Sequence, residues 1–404
     1  MSSLKCLCSP RILILGLILS VSLSISSNAV VAENDSAEAY YKKAQNSIQS
    51  GNITGALSIL STLVDKYPTE AKGWYNLGNV YKDLKKIDEA GDCYKKALDI
   101  DPTLKGARYN WAKVRTVRGG KHFDTYGALK DFELLWADDA NNFNLAYEIT
   151  DLYFRRKDMP QVAKYVKEMQ RIAPEKAETY YYRGLIEDYS KEFTKALGIY
   201  QEGYARNTGS NVLKDIIWES NMRLGNLSLE TGDNKRAYQY FKNAYELFPG
   251  NPGSYFRLGE TAWLVGDNAL AIEAYSHFTS ARHSSWQGYN NLADVLSRDT
   301  SQIKNAIRVA QEALRWNPNA WEARDTLGWA YLRDGKPKAA EKEFQQMFNL
   351  LKLDWKVVKQ SSINQAVEVL NKLQEDTRNH VMDYLIVIKD KRAKQIQKQL
   401  NVGK

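Results

Sequence analysis

The chain has 404 residues, 44% hydrophobic and 26% charged, with 24 glycines, nine prolines and three cysteines. That much apolar surface supports a folded body and excludes a chain biased toward disorder. The formal charge is +8, and because the first 32 residues hold only Lys5 and Arg11, a chain without them carries +6, a mild excess.

The N-terminus opens with those two positive charges, runs through an apolar stretch from Ile12 to Leu19, and continues with alternating serines and aliphatic residues to Ile25. Small residues follow at Ala29 and Ala32. This order describes a secretory signal peptide over 1–32, cleaved after one of those alanines. The competing reading is an uncleaved anchor from Ile12 to Val31, which five serines and Asn28 in its second half would make costly in lipid. Cys6 and Cys8 precede the apolar run, unlike a lipid-modified cysteine, so an exported chain keeps only Cys93 and has no partner for an internal disulfide.

From residue 37 onward the sequence repeats with a period of 34. Copies open at Ala37, Ala71, Lys105, Phe143, Ala177, Trp218, Pro252, Trp286 and Trp321. Each copy predicts two helices. A small residue recurs in the first (Ala44, Gly78, Ala112, Thr150, Gly184, Gly225, Gly259, Ala293, Gly328) and alanine in eight of nine second helices, where two helices approach closely. Four residues after that alanine stands a large apolar group, among them Leu60, Tyr94, Phe132, Tyr200, Phe241, Tyr275 and Phe344, expected to pack on the next hairpin. Pro68, Pro102, Pro174, Pro249 and Pro318 share the phase that separates hairpins, and Gly51, Gly232, Gly266 and Gly335 mark the turn inside them.

Residues 71–104, with Trp74, Leu77, Gly78, Tyr81, Ala90, Tyr94, Ala97 and Pro102 at the diagnostic phases, closely resemble the tetratricopeptide repeat family, and the register covers 37–354. The resemblance implies an all-α fold, a right-handed α-solenoid of antiparallel helical hairpins. The expected organisation is a signal peptide (1–32), five repeats (33–210), a spacer or bend (211–217), four repeats (218–354), and a helical C-terminal cap with a basic tail (355–404). The glycine-rich, basic turn at 113–122 is expected to be long and mobile. The basic end, with Lys389, Lys391, Arg392, Lys394, Lys398 and Lys404, is read as a solvated, fraying helix rather than a nucleic-acid or lipid contact.

The sequence offers no chemistry of its own. His122, His277, His283 and His380 are scattered without metal-ligand spacing, Cys93 has no neighbouring base, and phosphate-cradling or nucleophile-elbow motifs are missing. No catalytic residue, cofactor or metal is expected, and no enzyme. In the family the first helix of each hairpin lines the inner wall, its fifth residue facing the groove. Here that phase carries Tyr41, Tyr75, Tyr109, Tyr147 and Tyr181, then Met222 and Phe256, and finally Asn290 and Asp325. The next phase carries Asn76, Asn110 and Asn291, whose carboxamides could pair with an extended backbone. For a peptide carboxylate Lys113 lies four residues after Tyr109 and Lys72 three before Tyr75, but the full set of a carboxylate clamp is not recognisable. The resemblance implies a scaffold that holds a protein or peptide in this groove, and the N-terminal segment makes it an exported one, periplasmic or secreted in a bacterial envelope. The alternative is a polysaccharide-binding adaptor, since tyrosine rings also suit sugars; no nucleic acid and no stable membrane insertion after cleavage are expected. Asn34, Asn52 and Asn226 open triplets that only a eukaryotic secretory route would glycosylate.

Overall fold

The computed structural model describes residues 36–401, so the proposed signal peptide over 1–32 lies outside the described residues. Among the described residues there are 22 α-helices, one short 3-10 turn and no strand. The chain divides into two compact units at Pro174 and Glu175, inside the five-repeat segment expected from sequence and not at its end. The first unit stacks hairpins one to four (37–66, 71–100, 105–138, 143–172), and the second stacks hairpins five to nine (177–206, 211–247, 252–281, 286–316, 321–350). Four further helices follow in the second unit: Trp355–Gln360, Ile363–Leu370, Glu375–Val387 and Ala393–Asn401.

Eight of the nine first helices begin on the residue that opens the corresponding sequence copy. Side-chain caps set many starts: Asn52 accepts from the Gly55 N–H at 2.9 Å, Asp124 from Gly127 at 2.9 Å and Asp233 from Arg236 at 3.0 Å. The turns inside hairpins one, six, seven and nine use the four expected glycines in the left-handed region, with φ from +71° to +87°. Hairpins two, four and five place Lys85, Lys157 and Lys191 there instead, at φ of +61° to +63°. A lysine in that conformation is strained, and nothing in its chemistry announces the position.

Within hairpins the two small phases do different things. The second-helix alanines are fully buried, as at Ala90, Ala196, Ala237 and Ala340. The first-helix glycines each carry an aromatic ring from their own hairpin: Tyr94 lies on Gly78, Tyr200 on Gly184, Phe241 on Gly225, Tyr275 on Gly259 and Phe344 on Gly328. A β-carbon at any of the five would come within 2.1–2.9 Å of the ring. The large residues therefore do not serve only the next hairpin, as expected; they first lock the two helices of their own. Where the first-helix residue is Ala44 or Thr150, the second helix supplies the smaller Leu60 or Val166.

Three expectations need correction. Residues 211–217 are not a spacer but the first two turns of the helix Asn211–Glu230. Ser210 caps it, and Leu213, Ile216 and Ile217 are buried with Tyr180, Leu197 and Tyr200, so apolar residues at helical spacing extend the helix backwards. The turn at 113–122 is long, yet it is tied down: Arg115 pairs with Asp124 and with Asp131 (2.9 Å), Lys121 with Asp92 (2.8 Å), and the Lys121 N–H donates to Asp88. The last described helix, Ala393–Asn401, is not wholly solvated, because its Ala393 and Ile396 are buried. Arg392 donates to the carbonyls of Ser361, Val358 and Lys359, which satisfies the open end of the helix Trp355–Gln360.

Candidate functional site

In the first unit the fifth-phase tyrosines join successive hairpins. The Tyr41 hydroxyl donates to Glu70 at 3.0 Å, immediately before the second hairpin. Tyr75 lies 6.1 Å from the Tyr94 ring and reaches across to Gly106, where a β-carbon would meet its hydroxyl at 2.9 Å. Tyr109 meets Phe132 edge-on at 5.6 Å and its hydroxyl approaches Glu148 at 3.5 Å. Burial, followed by the charge of Glu148, pushes the Tyr109 phenol up to about 12. Tyr147 is half-buried. Lys113 pairs with Glu148 at 2.6 Å, so its ammonium is already engaged by a carboxylate of the protein.

The carboxamides are partly engaged as well. Asn110 donates to Asn79 Oδ1 at 2.8 Å, and that same oxygen accepts the Tyr94 hydroxyl at 2.9 Å. Asn76, next to Tyr75 on the same helix, is half-buried. The predicted row in this unit is thus first a set of packing and hydrogen-bonding links between neighbouring hairpins, with rings half-exposed at its surface.

In the second unit the row changes character along the chain. Tyr181 meets Tyr182 edge-on at 5.2 Å, and Phe256 packs on Phe278 at 5.1 Å and Tyr275 at 5.9 Å. Beyond them the fifth phase becomes Asn290 and Asp325, and here the first-helix face opens into a cavity of about 290 Å³. Hairpin seven lends Glu260 and Trp263 to its walls, and hairpin eight lends Asn290, Asn291 and Asp294. Hairpin nine adds Trp321, Glu322 and Asp325. The helix Glu375–Val387 closes it with Asp376, Thr377 and His380, held there by its Tyr384, which packs on Phe344 of the last hairpin.

A polar network runs through these walls. Asp325 Oδ2 accepts the Thr377 hydroxyl at 2.9 Å and lies 3.0 Å from His380 Nδ1. The His380 ring stacks on Trp329 at 4.5 Å. Burial by itself would lower the His380 pKa, but the hydrogen bond and charge of Asp325, with Asp294 and Asp376, outweigh it and raise the pKa above its ordinary value. Burial also pushes the Asp294 carboxyl above its ordinary value, against the opposing charges of Arg298 and His380. On the other side Asn290 donates to Asn291, and Asn291 to the Tyr275 hydroxyl at 3.2 Å. Two acceptors, Asp325 Oδ1 and Asn290 Oδ1, are buried without a hydrogen-bond partner.

Of the residues that the sequence placed on the groove face, the cavity includes Asn290, Asn291 and Asp325. The other acids, the tryptophans and His380 were missed, although Glu260 and Asp294 share the ninth phase of successive first helices, a recurrence that could have been read. Among the described residues no group of three or more His, Cys, Asp or Glu side chains is placed to hold a metal ion, and no helix is long and apolar enough to cross a membrane.

Tetratricopeptide repeat models match residues 38–69, 71–104, 222–296 and 297–347, and these segments are tetratricopeptide repeats. The match at 71–104 coincides with the copy best formed in the sequence. Over 177 residues the chain is 25% identical to the tetratricopeptide repeat-containing protein trd-1 of Caenorhabditis elegans; this is 43% of the chain but spans only 21% of that relative. Among solved structures, a tetratricopeptide repeat protein from Parabacteroides merdae is similar at 16% identity, with 60% of this chain and 92% of that one covered and a TM-score of 0.42. MamA from Desulfovibrio magneticus is similar at 19% identity (46% and 97% covered, TM-score 0.35). YrrB, a TPR protein with an unusual peptide-binding site, is similar at 14% identity (52% and 98% covered, TM-score 0.37).

Proposed function

We propose that this chain is an exported, non-catalytic interaction scaffold that holds an extended segment of a partner protein against the first-helix face of its repeats. The observation that carries this reading is the change along that face in the second unit, where the packed aromatic residues Tyr181 and Phe256 give way to an open cavity walled by Trp263, Trp321 and polar groups. Interfaces concentrate binding on aromatic anchors beside hydrogen-bonding groups in such recesses. Export is supported by the order of charged, apolar and small residues over 1–32. A sugar needs an open ring face, and the rings of Tyr109 and Phe256 are packed on Phe132 and Phe278, which favours a peptide over a glycan.

Site-specific photocrosslinking tests the proposal. A crosslinking amino acid placed at Asn76 or Met222 on the first-helix face should capture one discrete partner in the compartment where the mature chain resides. The same group at the exposed second-helix positions Lys130 or Gln239 should not. Equal capture from both faces would overturn the reading, and recovery of Met1 on the mature chain would overturn cleavage.

A further inference from the structure

Resting on the scaffold reading, the chemistry of the cavity in hairpins seven to nine names what it receives: we propose that it takes the guanidinium or ammonium end of an arginine or lysine side chain on the partner's extended segment. Five carboxylates stand in its walls, Glu260, Asp294, Glu322, Asp325 and Asp376, against one imidazole, His380. Arg257 pairs with Glu260 at 2.8 Å within one helix, and Arg298, capping the helix of Asp294, pairs with that acid at 3.5 Å. Glu322 and Asp376 form no ion pair among the described residues, and Asp325 has only His380. The uncompensated charge is negative, so an anion is excluded and a cation attracted.

The unpartnered atoms sharpen this. Asp325 is only 6% exposed, yet its Oδ1 has no hydrogen-bond partner, and neither has Asn290 Oδ1 across the cavity. Both are acceptors, and no buried donor without a partner lines the same walls among the described residues. A group that reaches these two acceptors would bring donors to them. An ammonium has three and a guanidinium five, with no acceptor in either, whereas a sugar hydroxyl brings both. The carboxylates do not converge as a metal site would. Trp321 lines the cavity beside these acceptors and suits the aliphatic stem of such a side chain, while the Trp263 ring already carries the Arg298 guanidinium at 5.2 Å. A volume of about 290 Å³ falls just short of the roughly 300–1,000 Å³ of sites for drug-sized ligands, and suits one long side chain.

The test uses the full mature chain with its tryptophan indoles labelled by ¹⁵N, titrated with the capped peptide Gly-Ser-Gly-Arg-Gly-Ser-Gly. Saturable shifts of the Trp263 and Trp321 indole signals are expected. They should weaken by about tenfold or more when citrulline, of equal shape and no charge, replaces the arginine. Agmatine, the same cation without a peptide, should bind more weakly than the peptide. Changing Glu322→Gln, at the cavity's partly accessible rim, should weaken the arginine peptide about threefold with the melting temperature unchanged. Equal binding of the citrulline peptide, or no saturable shift at millimolar peptide, would overturn the cation site and leave Asp325 and Asn290 to water. Agmatine binding as tightly as the peptide would overturn the peptide source. If these fail while Asn76 and Met222 still crosslink a partner, only the cavity assignment falls; if arginine binds but no partner crosslinks, the scaffold reading falls instead.

Discussion

Tyr200 occupies the space that a side chain at Gly184 would need: a β-carbon there would lie 2.1 Å from the ring. The ring is fully buried and its hydroxyl donates to Asp188 at 2.9 Å, one turn along the helix that carries the glycine. Ring and glycine thus fix both the spacing and the register of the two helices in hairpin five, and the same pair recurs as Tyr94 on Gly78 and Phe344 on Gly328. Gly184→Ala should destabilise the second unit by about 1–3 kcal/mol through overpacking. Gly198→Ala, at a helical glycine with nothing within 4 Å, should stabilise it by about 0.5–1 kcal/mol. Urea unfolding of both variants checks the pair; a neutral Gly184→Ala would mean that the ring is free to move away.

The lysines in left-handed turns give a prediction of the opposite sign. Lys191 sits at φ of +63° at the position where hairpin six uses Gly232 at +76°. A left-handed backbone costs a residue with a β-carbon about 1–2 kcal/mol, and glycine's greater freedom in the unfolded chain returns part of that. Lys191→Gly should therefore stabilise by about 0.5–1 kcal/mol, and Gly232→Ala should destabilise by a similar amount or more. Differential scanning of the two variants reads both shifts.

His380 makes stability depend on pH in a stated direction. Its imidazole faces Asp325, Asp294 and Asp376 across the cavity, packs on Trp329, and has Arg298 nearby on Asp294. Burial opposes the charged ring, but the three acids prevail, so the folded pKa lies above the ordinary value. A group whose pKa is raised on folding binds its proton more tightly in the folded state. Its stabilisation is fully present below the unfolded pKa and is lost as pH rises through the folded one. Between pH 6 and pH 8.5 the denaturation midpoint should fall for the natural chain and fall less for His380→Gln, measured at matched ionic strength.

How much of this was legible follows from what a repeat demands locally. Close helix packing needs small residues at fixed phases, so the hairpins and eight of nine first-helix starts could be read directly. The early start of the helix Asn211–Glu230 was written in Leu213, Ile216 and Ile217, yet a fixed 34-residue frame has no slot for an extension. Lys85, Lys157 and Lys191 gave no warning, because positive φ in lysine is imposed by the turn and not favoured by the side chain. The cavity was least visible of all. Asp325 and His380 meet from 55 residues apart, and only the docking of the helix Glu375–Val387 on the last hairpin brings them together.

The fifth-phase tyrosines decide how far binding and stability are separable on the first-helix face. Seen from sequence they are anchors for a partner, but Tyr109 packs on Phe132 and points its hydroxyl at Glu148 of the next hairpin, and Tyr75 covers Gly106. Removing either ring therefore opens a gap between neighbouring hairpins as well as a hole in any groove. Tyr109→Ala should cost about 2 kcal/mol or more, somewhat less than a fully buried aromatic, because the ring is half-exposed. Tyr109→Phe keeps the ring and loses only a 3.5 Å contact to a carboxylate, so its cost should stay below about 1 kcal/mol. Coupling between nearest neighbours should confine the loss in Tyr109→Ala to the first unit, leaving hairpins five to nine folded. Hydrogen exchange resolved by segment reads this, and the crosslinking yield at Met222 reads binding on the same samples. Uniform loss of protection through residue 401, or an unchanged first unit, would show that these rings do not join the hairpins in the way their contacts indicate.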